Sequence, residues 1–176
     1  MKIFISVFLL FSLIRTEAQD RSLEEILNFP VGGIWTSTNE NNDNDPQSFS
    51  SFFMKFENWS SKASVTASIF GVKNSGDTSQ LMEVWNYLNP SENNVFLVQH
   101  TAWGAHCTGT LNVFEGKHMD IFFKTVNPDG GSYDTRDIHY ILSENEMKAE
   151  TFHRLDETQE WKKASESFWK REKTKP

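Results

Sequence analysis

The sequence predicts an all-β protein, an antiparallel up-and-down meander barrel with a short N-terminal helix. Three observations predict it. Aromatic residues make up 14% of the 176 residues, led by 15 Phe and 6 Trp, while Gly and Pro are modest. That usage favours strands over disorder. From Val31 onward the apolar pattern has period two, so alternate residues share a face. Short turn-like connections separate about ten such runs, which implies sequential hairpins with no room for crossover helices. A meander that long exposes two edges as an open sheet, and closure into a barrel removes them. A two-sheet sandwich is the structural rival.

The first residues read as a leader. Met1-Lys2 precedes an apolar run over 3–14 that is too short to span a bilayer, and Thr16-x-Ala18 offers small residues for cleavage. The expected division is a signal peptide over 1–18 and a single domain over 19–176, in a secreted or periplasmic setting. The mature chain then carries no transmembrane segment; an uncleaved anchor or a buried N-terminal helix is the alternative. Asp20 or Ser22 caps a helix in which Leu23, Ile26 and Leu27 share one face, and Phe29-Pro30 stops it. Such a helix is placed to lid one end of a barrel.

Strands follow. The first opens at Gly33-x-Trp35 and ends in the Asn- and Asp-rich loop before Pro46. The next runs fall at 48–56 and 63–72; in the latter Val65, Ala67 and Ile69 share one face and Ser64, Thr66 and Ser68 the other. Further runs cover 81–88, 95–101, 106–114, 118–126, 133–142, 147–155 and 161–170. Asn89-Pro90-Ser91-Glu92, Glu115-Gly116-Lys117 and Asn127-Pro128-Asp129-Gly130-Gly131 are among the turns between them.

Composition and motifs exclude several functions. The formal charge of −7, scattered rather than blocked, repels phosphate backbones, so no nucleic acid partner is expected. Cys107 is the single cysteine, so no intramolecular disulfide forms and stability rests on core and sheet. The five His show no tight ligand spacing and no Cys pair supports them, so neither a metal nor a cofactor is assigned. There is no G-x-S-x-G, and nothing in the spacing selects a carboxylate pair such as Glu83 with Asp134; no catalytic residue is assigned. Trp59, Trp85, Trp103, Trp161 and Trp169 lie mostly beside turns, as caps of the barrel ends or as a contact rim.

Gly33-x-Trp35 near the start, the meandering strands, and the basic residues after the final aromatic (Phe168-Trp169-Lys170-Arg171) resemble the lipocalin or calycin barrels. A closer resemblance is to exported bacterial lipocalin-like barrels of unknown function. Three stretches carry it: Phe29 to Trp35, Glu83-Val84-Trp85-Asn86-Tyr87-Leu88-Asn89-Pro90, and Trp161 with Trp169-Lys170-Arg171. The Gly that soon follows the Glu in that family is absent here. The resemblance implies a barrel closed by Gly33, Trp35 and Arg171, with Arg171 stacked on Trp35, and a cup for a small, mostly apolar ligand.

The inward face follows from hairpin register, because a one-residue slip exchanges the faces. Met119, Ile121, Phe123 and Thr125 are set against Cys107, Gly109 and Leu111. Pairing Leu142 with Met147 and Tyr140 with Ala149 extends that face and brings Arg136 opposite His153. Carried backwards, the register puts Phe96, Val98 and His100 inside, with Glu83 beside His100. The expected cup lining therefore includes Glu83, His100, Arg136, His153, Phe123 and Tyr140. An inward Arg136 suits a carboxylate; an internal ion-pair network, or a slip that turns these side chains to solvent, is the competing reading. The leading function is binding of a small hydrophobic or amphipathic molecule by a monomer. A barrel-cup enzyme of isomerase or hydrolase type, and a structural or protein-binding module, stand as alternatives.

Overall fold

The computed structural model describes residues 22–114 and 118–172; the leader expected over 1–18 lies outside them. The chain enters through α1 (Leu23–Asn28), where Ser22 and Glu25 form a reciprocal capping box. Two acidic residues in its first turn complement the helix dipole. Ten antiparallel strands follow: β1 (Ile34–Thr38), β2 (Phe49–Asn58), β3 (Ser64–Lys73), β4 (Thr78–Asn89), β5 (Asn94–Thr101), β6 (His106–Phe114), β7 (His118–Val126), β8 (Ser132–Ser143), β9 (Glu146–Arg154) and β10 (Lys162–Glu172). Each pairs with its neighbours in sequence, and β1 pairs with both β2 and β10. The sheet is a closed barrel, as expected, and the sandwich is excluded. Among the described residues no helix is long and apolar enough to cross a membrane.

Closure rests on very few residues. β1 meets β10 over three register positions, with Trp35 opposite Arg171. Gly33 sits at φ +107°, and a Cβ there would lie 3.0 Å from the Arg171 side chain and 3.1 Å from the Glu172 carbonyl. Only glycine accepts that backbone and that approach. Trp35 is fully buried; its indole N–H donates to the Pro30 carbonyl at 2.9 Å. The Arg171 guanidinium lies 4.6 Å from the Trp35 ring centroid and 5.3 Å from that of Phe29, and it donates to the Phe29 carbonyl. One cation thus ties the helix exit, the first strand and the last strand together.

The helix covers the same end of the barrel, touching β3, β4 and β5. Its buried Ile26 and Leu27 join Trp35, Val65, Val95, Leu111, Met119, Met147 and Trp169 in a dense apolar plug. Gly109 on β6 leaves no room for a side chain: a Cβ built there would stand 1.9 Å from the Phe122 carbonyl. That contact lets β6 and β7 approach where no side chain fits.

Candidate ligand cavity

Above the plug the barrel is hollow. A cavity of about 670 Å³ runs from Leu27 and Pro30 up to a mouth at Thr38, Asn39, Asn41, Thr101 and Trp103. Its two sides differ. On β2 to β5 the lining is mostly apolar: Phe52, Met54 and Phe56, then Val65, Ala67 and Ile69, then Met82, Val84 and Leu97, interrupted by Asn86 and Gln99. On β8 to β10, across the barrel, it is polar: Tyr133, Thr135, Asp137 and His139, then Thr151 and His153, then Ser165 and Ser167. A polar step on β6 and β7 leads into this stripe. Cys107 Sγ lies 3.5 Å from the Thr125 hydroxyl, itself 3.4 Å from that of Thr135.

Asp137 is the centre of the polar side. Register sets it between Ile121 and Thr151, with His139 two residues further along the same strand. Its Oδ1 is buried and has no hydrogen-bond partner among the described residues. Burial raises the Asp137 carboxyl above the usual carboxylate range, against the opposing pull of His139, Thr151 and His153. Burial pushes the His139 imidazole below its ordinary value, against the opposing field of Asp137. His153 packs against Tyr133 with ring centroids 4.9 Å apart. Burial also raises Cys107, which keeps it a thiol rather than a nucleophilic thiolate.

The expected lining residues divide. Phe123 and His153 line the cavity, His153 opposite Thr135 rather than Arg136. Glu83, His100, Arg136 and Tyr140 do not; all four lie on the outer face, and the expectation that they point inward is corrected. On β8 the cause is a bulge between Ile141 and Ser143, which sets Ile141, not Leu142, opposite Met147. The single skipped residue reverses the strand's faces. Arg136 accordingly pairs outside with buried Asp120, Nε to Oδ1 2.8 Å, its guanidinium 5.2 Å from the Phe122 ring centroid. The Tyr140 hydroxyl donates to Glu150 at 3.3 Å.

On β5 the cause is different. Val95-Phe96-Leu97-Val98 is apolar on both faces, so alternation does not choose between them. The hairpin at Thr101 and Ala105 puts Gln99 opposite Cys107, which turns Leu97 and Gln99 inward. Glu83 and His100 remain cross-strand partners, as expected, but both are exposed. Phe96 is 42% exposed.

Sequence reasoning missed Tyr133, Asp137, His139 and Thr151. A usable signal existed: Thr125 pairs with Tyr133 across the Asn127–Gly131 turn, so carrying the β7 face through that hairpin turns Asp137 inward. The tryptophans also divide. Trp169 belongs to the plug, and Trp103 stands exposed at the mouth. Trp59 packs outside on Trp85 at 5.0 Å between centroids, while Trp161 lies beneath the Arg154 guanidinium at 4.4 Å. Among the described residues no group of three or more acids, His or Cys stands close enough to hold a metal ion. No protein-family model matches the chain, and no curated protein matches it.

Proposed function

We propose that this chain is an exported, lipocalin-like carrier whose barrel holds one small amphipathic molecule. The observation that carries the reading is the two-sided cavity. Its size suits a small organic ligand, its apolar side on β2 to β5 offers area for burial, and its polar groups converge on the opposite side. Burying apolar ligand surface supplies affinity, and the few polar groups fix orientation. The leader expected from the sequence of residues 1–18 fits a carrier working outside the cytoplasm.

Titration with Nile red, a neutral solvatochromic dye, tests it. The expected result is saturable one-to-one binding with a blue-shifted emission. Ala67→Phe combined with Ala149→Phe fills the cavity from both sides and should weaken binding by at least about tenfold, the equivalent of a lost side-chain-sized contact. Circular dichroism checks that the doubly substituted barrel stays folded. Binding that ignores both substitutions in a folded barrel defeats the proposal.

A further inference from the structure

We propose that the molecule held in this barrel carries a protonated amine, and that Asp137 is the residue that receives it. The inference rests on the carrier reading above and names the head group of its ligand. Three observations lead to it.

The first is the charge of the lining. Asp137 stands among the cavity residues, with Glu40 at the mouth and Glu166, which is paired with Lys148 and Lys163, while no Lys or Arg does among the described residues. The nearest candidates are engaged elsewhere: Arg136 with Asp120 on the outer face, Arg154 with Asp134, and Arg171 with the Phe29 carbonyl. A carboxylate ligand would therefore enter a site with an acid and no strong cation, and a like charge in a poorly solvated cavity is repelled.

The second is the incomplete hydrogen bonding of Asp137, whose Oδ1 is buried without a partner. A carboxylate removed from water is stable only when protonated or matched by a cation and donors. Thr151, His139 and His153 offset part of this, but Oδ1 stays without a partner and burial disfavours the charged form of His139. An ammonium brings a positive charge and three N–H donors in one compact group. Rotation of the carboxyl about its terminal torsion is broad and presents either oxygen to the cavity.

The third is the surrounding chemistry. Thr151 faces Asp137 across the β8–β9 pair, with Ser165 beyond it, so hydroxyl oxygens stand ready to accept the remaining ammonium protons. Tyr133 and His153 present rings to the same space. Opposite them Ala67, Val84 and Leu97 receive an apolar tail. The pattern is acids without a Lys or Arg, several acceptors and an apolar wall, which discriminates by head-group charge.

Chain-matched probes test this: decylamine, decanol and decanoate, each titrated against the Nile red complex. Decylamine should displace the dye at a concentration at least about tenfold below that needed for decanoate, with decanol between them, as one charge-assisted contact implies. The acidic protein surface attracts any amine, so the order is read again at about 0.5 M salt, where surface attraction is screened and a buried contact is not. Asp137→Asn should abolish the preference for decylamine over decanol.

Decanoate binding as tightly as decylamine overturns the inference and leaves the carrier reading intact. So does a preference that vanishes with salt, or one that survives in folded Asp137→Asn. Failure of all three probes to displace the dye, together with absence of saturable Nile red binding, overturns the carrier reading and the inference together.

Discussion

The two sides of this barrel are built from the same kind of strand and solve opposite problems. β3 to β5 are mostly apolar towards the cavity, with Asn86 and Gln99 the exceptions, and the outer face of this side carries a packed aromatic group of Trp59, Trp85 and Tyr87. β8 to β10 are polar within, and their outer face carries an ion-pair network of Lys148, Glu150, Lys163 and Glu166. The first side gains by removing carbon from water. The second keeps Asp137 and His139 in a poorly solvated interior, which lowers stability unless something binds there. A side that stabilises the fold thus faces a side that costs it stability, and the proposed function assigns binding to that polar side.

The strongest way to break the contrast is to make the apolar side resemble the polar one. Ala67→Asp places a carboxylate at a buried position flanked in register by the apolar Phe56 and Val84. An uncompensated buried charge of this kind costs about 3–5 kcal/mol. Urea unfolding should show a loss of that size at neutral pH, diminishing in acid as the new carboxyl protonates. A loss below about 1 kcal/mol would mean that the apolar side tolerates charge as readily as the polar one, and the contrast would fail.

The contrast also explains which parts of the molecule were legible in the sequence. Strand existence, the antiparallel meander, closure and the early Gly33-x-Trp35 motif all follow from local pattern, because alternation and turn chemistry act over a few residues. On β3 the alternation of Val65, Ala67 and Ile69 with Ser64, Thr66 and Ser68 names the inward face outright. On β8 it does not. Tyr133, Asp137 and His139 point in while Asp134, Arg136 and Tyr140 point out, so both faces read as polar. Phase carried back from β9 depends on the bulge at Leu142, a backbone irregularity with no residue signature of its own, while phase carried forward from β7 does not. Pattern therefore locates a side lined by carbon and loses a side lined by polar groups, since that face departs from the rule that apolar points inward.

A smaller effect tests the strain on the polar side directly. The Asp137 carboxyl is raised by burial, so its folded value lies above the unfolded one. Such a group leaves stability intact below the unfolded value and loses it as pH rises through the folded value. Asp137→Asn removes that loss. The empty Asn variant should match the parent near pH 4 and become more stable than it as pH approaches 8, by about 1–2 kcal/mol, the usual scale for relieving an under-compensated buried group. Thermal unfolding across that range measures it. An Asn variant less stable than the parent at pH 8 would show that Asp137 is satisfied internally and is part of the structure rather than of a binding site.

The smallest effect lies on the outside of the same strands and has the opposite sign. Glu150 accepts from Lys163 at 2.8 Å and pairs with Lys148 at 3.0 Å; these hydrogen bonds hold its carboxyl down to about 2. A depressed carboxyl contributes stability above its unfolded value near 4.5, and the contribution fades as pH falls towards about 2. Because the lysines reach into solvent, the contribution is modest and screened by salt. Glu150→Gln should therefore lower the unfolding midpoint slightly at pH 7 in dilute buffer, and not at all at pH 2 or in concentrated salt. The pair of profiles separates the two acids on adjacent strands. Asp137 weakens the fold as it ionises, and Glu150 strengthens it, though β8 and β9 place them only a strand apart. If both variants shift in the same direction with rising pH, then burial is not what distinguishes the interior of these strands from their surface.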